Sequence, residues 1–332
     1  MSVSPSLADL ASTDALIWTG DEPPGDADAI AAMFAAAFDG SYALAAHGTE
    51  SLTLIHLDTV DARVRRAGRQ VVYCAATGAL VAVRADDAPV AQPIGKMRWP
   101  AELHALPEGP VRALLARPVW VRALVPYATT RSAGRTFSLL NTDDKTVARV
   151  TWWTSAVTGR QPGIAPRIHV ASLRGYERDA KTAKQLLRAN APVAGARQSW
   201  FAGVLLAANG GRPDRPAGRA RAEMTARQPA ALAVATALLD YLDDLEANVA
   251  GAIDDVDTEF LHDLRVAVRR TRSVLKLLGD VLPDGTVSRV APEFRWLGQI
   301  TTPTRDLDVY LLGVDDMAAS ITNPDDLVPF AE

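Results

Sequence analysis

The chain has 332 residues, enough for two domains with separate cores, and its hydrophobic (48%) and charged (22%) contents are typical of globular proteins. The formal net charge of −4 excludes attraction of polyanions by the overall field, so any anion site must arise from local clustering of basic residues. The single cysteine, Cys74, excludes an intramolecular disulfide framework and predicts a reducing, cytoplasmic location. We expect neither a signal peptide nor a membrane partner, because no apolar run approaches about 18 residues.

The first half of the chain is predicted to be rich in β-strands. A strand is expected at residues 15–20 and a helix at 27–38, and a helix returns at 176–188. Between them, polar and apolar residues alternate in short segments separated by Gly, Pro, Asn and Asp. The predicted strands there span residues 51–59, 69–76, 79–85, 119–128, 136–142 and 146–157. This pattern indicates an antiparallel barrel or tunnel-like sheet with flanking helices.

Three segments of this half carry a family resemblance. They are HLDTVDARVRRAGRQVVY at 56–73, LVPYATTRSAGRTFSLLN at 124–141 and LRGYERDAKTAKQLL at 173–187. In order and spacing they are similar to the CYTH domain, the triphosphate-tunnel fold. The resemblance implies an antiparallel tunnel in which active members hold a divalent metal through acids, including those of an E-x-E-x-K strand. Here the first strand reads ALIWTGD and a late strand reads RIHVASLRG, so we expect a degenerate domain with no catalytic residue, metal ligand or cofactor.

The middle of the chain is predicted to join two domains. A short helix is expected at 199–208, and the Gly-, Pro- and Arg-rich residues 209–223 are typical of a linker. A helix then begins at Pro229 and runs to about residue 250, with further helices at 287–299 and from 302 onward. The apolar stripe of the helix that begins at Pro229 is predicted to comprise Leu232, Leu239, Leu242, Leu245 and Val249. Its acidic outer face is predicted to comprise Asp240, Asp243, Asp244 and Glu246.

Residues 257–278 predict a helix with one basic face. Asp257 or Thr258 can cap its start, and Gly279 is a stop signal. At about 100° per residue, five side chains fall within an arc of roughly 80° and form a ladder about 21 Å long. They are His262, Arg265, Arg269, Arg272 and Lys276. The apolar residues expected to face a core are Leu264, Val268, Leu275 and Leu278.

A solvated basic face is the simplest interpretation of this ladder. However, the only acid between His262 and Lys276 is Asp263, so salt bridges within the helix do not explain the pattern. Most members are Arg, whose planar fork matches phosphate oxygens better than a point charge does. The ladder therefore favours binding of a long anion.

The same region resembles a second family. The motifs are HDLRVAVRRTRSVLKLL at 262–278, FRWLGQ at 294–299 and RDLDVYL at 305–311. Together they are similar to the CHAD domain, a helical bundle that binds inorganic polyphosphate on a basic surface, and they cover roughly residues 225–315, the first part of a usual CHAD domain. The resemblance implies polyphosphate binding by His262, Arg265, Arg269, Arg270, Arg272, Lys276, Arg295 and Arg305. Asp306 and Asp308 are interpreted as partners that orient arginines, with a purely structural role as an equal alternative.

The sequence thus predicts an α+β protein in which a helical bundle follows a β-rich domain. The expected boundaries are a degenerate CYTH-like domain at 1–190, a helix and linker at 191–228, and a partial CHAD-like bundle at 229–332. The predicted function is non-catalytic binding of inorganic polyphosphate in the cytoplasm, where association with polyphosphate granules is one expected form. A metal-dependent triphosphatase and a protein-interaction module are the alternatives. Nucleic acid is the weaker partner, because no aromatic residue interrupts the ladder to stack bases.

Overall fold

A computed structural model describes residues 5–84, 87–160, 163–212, 225 and 227–320. The predicted α+β class is confirmed: an antiparallel sheet with flanking helices precedes a group of long helices. Most of the arginine-rich linker segment, including Arg215, Arg219 and Arg221, lies outside the described residues.

The described strands form one sheet of ten antiparallel strands. Its hydrogen-bonded path runs β10-β1-β9-β8-β7-β2-β3-β4-β5, with β6 paired to β7, so the path is open between β5 and β10 within the described residues. The strands are β1 (Leu16–Trp18), β2 (Ala43–Asp58), β3 (Arg69–Cys74), β4 (Ala79–Arg84), β5 (Val90–Pro93), β6 (Ala101–Glu102), β7 (Ala123–Leu140), β8 (Thr146–Val157), β9 (Ile164–Ser172) and β10 (Val193–Gly195).

Helices cover both faces of this sheet, as alternation of apolar side chains along the strands requires. The helices of the sheet domain are α1 (Pro5–Ala11), α2 (Ala27–Phe38), α3 (Arg63–Arg66), α4 (Pro110–Val119), α5 (Glu177–Asn190) and α6 (Trp200–Ala208). On one face, α1 and α6 fill an apolar layer in which Leu54 and Trp153 meet Trp200. On the other, α2 and α5 cover one end of the strands, and α3 and α4 cover the other.

Two details of the predicted strands were wrong. Residues 119–128 were predicted as one strand, but Val119 ends α4, whose start is favoured by Pro110 at its first position. The backbone turns at Val121 and Arg122, and β7 then runs without a break for 18 residues, through the stretch predicted as a loop at 129–135. Gly134 permits this continuity, because a Cβ there would lie 2.6 Å from the Trp153 ring.

The C-terminal part consists of α7 (Ala230–Ile253), α8 (Thr258–Leu278), α9 (Thr286–Ile300) and α10 (Thr302–Ser320), close to the predicted positions. The predicted apolar stripe of α7 was wrong in part: Leu232, Leu239 and Leu242 are exposed, whereas Leu245 and Val249 are half-buried. The buried side of α7 carries Val234, Asp244, Asn248 and Gly251 instead, so Asp244 also departs from the predicted acidic outer face. On α8, Leu264, Val268 and Leu275 are buried as predicted, whereas Leu278 is exposed.

A buried cluster of charges joins the first turns of α8 to the sheet domain. Arg122, which is 0% exposed, lies between α4 and β7. Its Nη1 donates to Asp257 Oδ1 at 3.2 Å, its Nη2 contacts Asp263, and its Nε lies 4.0 Å from Asp61 Oδ1. A buried guanidinium needs such carboxylate partners to offset its desolvation. We call Arg122, Asp61, Asp257 and Asp263 the junction cluster.

Further contacts at the same place extend this join. The backbone N–H of Ala123 donates to Asp257 Oδ2 at 2.7 Å, and the Arg122 guanidinium lies 5.2 Å from the centroid of the Phe260 ring. Arg63 of α3 also reaches Glu259 of α8 at 3.5 Å. The sheet domain therefore holds α8 by its N-terminal end.

Candidate functional site: a basic groove on helix α8

Helix α8 begins where the sequence predicts, and its cap has a second role. The Asp257 carboxylate accepts hydrogen bonds from the backbone N–H groups of Glu259 (2.9 Å) and Phe260 (3.1 Å). These bonds satisfy N–H groups that have no partner within the helix. Because the same carboxylate also binds Arg122, the start of the helix and its attachment to the sheet domain depend on one side chain.

Seven of the eight predicted binding residues line two adjoining concavities between α8, α9 and α10. The first has a volume of about 340 Å³ and the second about 460 Å³, and Arg269 and Arg272 line both. None of the described residues that line them is Asp or Glu. We call the two together the basic groove, and the predicted residues in it are His262, Arg265, Arg269, Arg272, Lys276, Arg295 and Arg305.

Four cations of the basic groove are exposed and available to a ligand. Arg269, Arg272 and Lys276 project from α8, and Arg295 projects from α9 across the groove. Their side chains form no ion pair or hydrogen bond within the part of the chain that the structure describes. Unpaired guanidinium groups facing one hollow repel one another unless an anion lies between them. The arrangement therefore fits an anionic ligand better than an empty surface.

Arg265 lies in the groove but is held by protein oxygens. Its Nη1 donates to the Gly298 carbonyl at 2.9 Å and to the hydroxyls of Thr301 and Thr302 at 2.8 and 3.1 Å. These acceptors lie where α9 ends and α10 begins. Arg265 thus ties α8 to that turn, and it supplies charge to the groove from a fixed position.

Arg305 is similarly engaged, at the other side of the first turn of α8. Its Nη1 donates to the Thr258 carbonyl at 3.0 Å and lies 3.7 Å from Asp308 Oδ2. Its Nη2 lies 3.9 Å from Glu259 Oε1. Burial raises the pKa of Asp308, against the lowering effect of Arg305. Asp308 therefore occupies the position predicted for an orienting partner, whereas Asp306 is exposed.

The structure places Arg270 outside the basic groove. Its side chain is exposed but lines neither concavity. The reason is helical geometry: adjacent residues are about 100° apart, so Arg270 lies beyond the arc that Arg269 occupies. The family motif includes this arginine in the predicted site, but its angular position directs it elsewhere.

His262 lies half-buried at the start of the groove, next to the junction cluster. Its neighbour Asp263 faces Arg122, and burial raises the pKa of Asp263, while the charges of Arg122 and His262 lower it. The acids near the first turn of α8 are thus directed toward the sheet domain, and the groove itself remains basic.

Sequence reasoning missed the uncharged part of the groove. Gln299 and Thr302 line it, and Gly298 lets α9 approach α8 closely, because a Cβ there would lie 3.2 Å from Arg272 Nη1. The only sequence signal for this approach was the Gly of the FRWLGQ motif.

The structure also bears on metals and membranes. Within the described ranges, no group of three or more His, Cys, Asp or Glu residues could hold a metal ion. The described helices likewise include none with the length and apolar character needed to cross a bilayer.

The fold and the groove together define an α+β protein whose C-terminal helices carry a basic groove. Residues 236–332 match the family model of the CHAD domain. The match starts within α7, takes in the basic groove, and covers less than a third of the chain. It confirms the C-terminal resemblance, while the CYTH-like nature of residues 1–190 stays a prediction. No curated protein matches the chain.

Proposed function

We propose that this protein binds inorganic polyphosphate in the basic groove and does not hydrolyse it. The observation that carries the proposal is a row of four exposed cations, Arg269, Arg272, Lys276 and Arg295, that have no partner among the described residues and lie in a hollow whose described lining contains no acid. From His262 to Lys276 the helix rises about 21 Å. Because phosphates repeat every few ångströms along the polymer, a straight row of cations meets several of them at once.

The lining also favours polyphosphate over nucleic acid. Among the residues that the structure describes, no Trp, Tyr or Phe lines the groove, and the exposed Trp296 lies outside it. Proteins that bind single strands without sequence preference rely on aromatic stacking for each base. The polar groups of the lining are guanidinium, ammonium, imidazole, hydroxyl and amide groups, which bind phosphate oxygens but do not provide a platform for stacking bases.

The test is a titration with polyphosphate of defined length, with and without DNA as competitor. Reversing two charges, Arg269→Glu with Arg272→Glu, should abolish binding while circular dichroism stays unchanged, because exposed side chains shift stability only modestly. The matched control is Arg270→Glu with Arg289→Glu, which changes the same charge on exposed residues of α8 and α9 outside the groove. If both double variants bind like the parent protein, the groove is not the site.

Binding should weaken as salt increases, since polyanion binding releases counterions. The proposal also predicts no turnover of triphosphate, ATP or thiamine triphosphate with Mg²⁺ or Mn²⁺. Arg131 and Arg135 are the basic residues of β7 that could line a triphosphate tunnel. Steady metal-dependent release of phosphate that disappears with Arg131→Ala and Arg135→Ala would instead support the triphosphatase alternative.

A further inference from the structure

A second basic concavity lies on the sheet domain, where α3 and α4 meet. Its volume is about 750 Å³, and four arginines line it together with Ala67, Ala113, Leu114 and Pro118. We call it the arginine hollow, and its charged residues are Arg63, Arg66, Arg69 and Arg117. As in the basic groove, its described lining includes neither an acid nor an aromatic side chain.

Part of this charge is compensated and part is not. Asp61 accepts from Arg63 at 2.8 Å and from Arg66 at 3.2 Å. Burial alone would raise the pKa of Asp61. That pKa is nevertheless held below its usual range by hydrogen bonds from Thr59 and Arg63 and by the charge of Arg122. Asp61 is therefore ionised, but the junction cluster also uses it.

Arg69 and Arg117 have no acidic partner within the described ranges. Arg117 is exposed at the end of α4, and its side chain makes no ion pair or hydrogen bond there. Arg69 only approaches the Ala67 carbonyl, at 3.5 Å. It stands directly across the β3–β4 pair from Arg84, whose charge Asp87 offsets at 3.6 Å. The charge of Arg69 therefore remains available to an anion in the hollow.

One carboxylate connects the hollow to the basic groove. Arg63 lines the hollow and lies 3.5 Å from Glu259 Oε2. Arg305 lines the groove and lies 3.9 Å from Glu259 Oε1. Arg63 of the hollow and Arg305 of the groove thus approach the two carboxylate oxygens of the same side chain, Glu259. The junction cluster fixes the position of α8 against the sheet domain, and with it the relative position of the two concavities.

We propose that the arginine hollow is a second oligophosphate-binding site, which continues the path of one polyphosphate chain from the basic groove onto the sheet domain. The inference rests on the proposed function for the identity of the polymer. A chain of roughly eight phosphates covers the groove alone, given the helical rise of about 21 Å. Only a longer chain reaches Arg69 and Arg117.

The test compares a chain of that short length with one several times longer. In Arg69→Glu with Arg117→Glu, affinity for the long chain should fall about 10- to 100-fold at ~50 mM salt. The slope of log affinity against log salt should shrink by about 1.4, because each of the two phosphates that is no longer neutralised accounts for about 0.7 of it. Affinity for the short chain should stay within about twofold, because that chain does not reach the hollow. The milder Arg69→Gln with Arg117→Gln should change the long-chain affinity in the same direction by less.

The matched control is Arg149→Glu with Arg174→Glu, which reverses two exposed charges at the opposite end of the long strands. The inference is overturned if the hollow variant binds the long chain as the control does, or if it loses short and long chains equally. Loss of single-stranded DNA binding to the same extent would also overturn it, in favour of a nucleic-acid site. Arg269→Glu with Arg272→Glu tests the groove separately: unchanged binding there contradicts the proposed function, whatever the hollow variant does.

Discussion

The junction cluster should control the stability of the whole chain, and Arg122→Met tests this. Methionine keeps much of the volume of arginine but leaves Asp257 and Asp263 near the sheet domain without their cation. Removing one partner of a buried ion pair typically costs about 3–5 kcal/mol. This is a large part of the roughly 5–15 kcal/mol by which proteins of ordinary stability remain folded.

Equilibrium urea denaturation, followed by circular dichroism, measures this loss. The control Arg117→Met removes an exposed arginine from the adjacent helix and should change the free energy of unfolding by less than about 0.5 kcal/mol. In a double-mutant cycle, Asp257→Asn keeps the helix cap, since Asn caps about as well as Asp, but removes the charge. The coupling between Arg122→Met and Asp257→Asn should be about 1–3 kcal/mol.

The loss of folding stability in Arg122→Met, its stability deficit, should also decrease as pH falls. Without the guanidinium, burial raises the pKa of the remaining carboxylates in the folded state. Groups with a raised folded pKa favour folding where they are protonated, so the deficit of Arg122→Met should shrink as pH falls from about 7 to about 5. A loss below about 1 kcal/mol at pH 7 with no coupling to Asp257 would refute the view that this cluster joins the two domains.

Three further predictions concern other parts of the chain. Burial lowers the pKa of His56 to about 3, below its unfolded value of about 6.5. The parent protein should therefore lose about 2 kcal/mol of folding stability between pH 7 and pH 5. In denaturation experiments at both pH values, His56→Gln should remove this loss and the control His104→Gln should retain it. His262 lines the start of the groove, so His262→Gln should weaken polyphosphate binding in titrations at constant pH, and an affinity equal to that of the parent protein would show that His262 does not contact the ligand. Gly251→Ala should destabilise the protein by about 1–2 kcal/mol despite the higher helix propensity of Ala, because the added Cβ would lie 2.3 Å from Phe260 Cδ1, and Phe260→Leu should relieve part of that loss in thermal denaturation.

The sequence predicted α8 well, because capping and helical periodicity are local properties. Asp257 caps the helix, and the basic arc lines one groove as expected. Capping and periodicity could not show which arginines of the site bind protein oxygens and which are exposed to a ligand. Arg265 and Arg305 are bound by oxygens at Gly298 and Thr258, and only tertiary packing brings those oxygens within reach.

Periodicity also identifies an apolar face without showing what covers it. Leu239 and Leu242 fit the helical period of α7, yet they are exposed, while Asp244 and Asn248 are buried. The junction cluster was missed for a related reason: Arg122 and Asp257 are 135 residues apart, and neither belongs to a motif that points to the other. Long-range pairs of this kind become visible only in the folded structure.

Helix α8 is bonded to the sheet domain near its N-terminal end, its root, and we call its C-terminal end the tip. The root, at Asp257 and Asp263, is bonded to the sheet domain, whereas the tip carries Lys276 beside Leu277, which is 75% exposed. Amplitudes of motion should therefore grow along the helix, and immobilising the tip should carry more of the entropic penalty of binding. The exposed cations Arg269, Arg272 and Lys276 lie toward this tip, so polyphosphate should increase the hydrogen-exchange protection of the backbone amides near Lys276 more than that of the amides near His262.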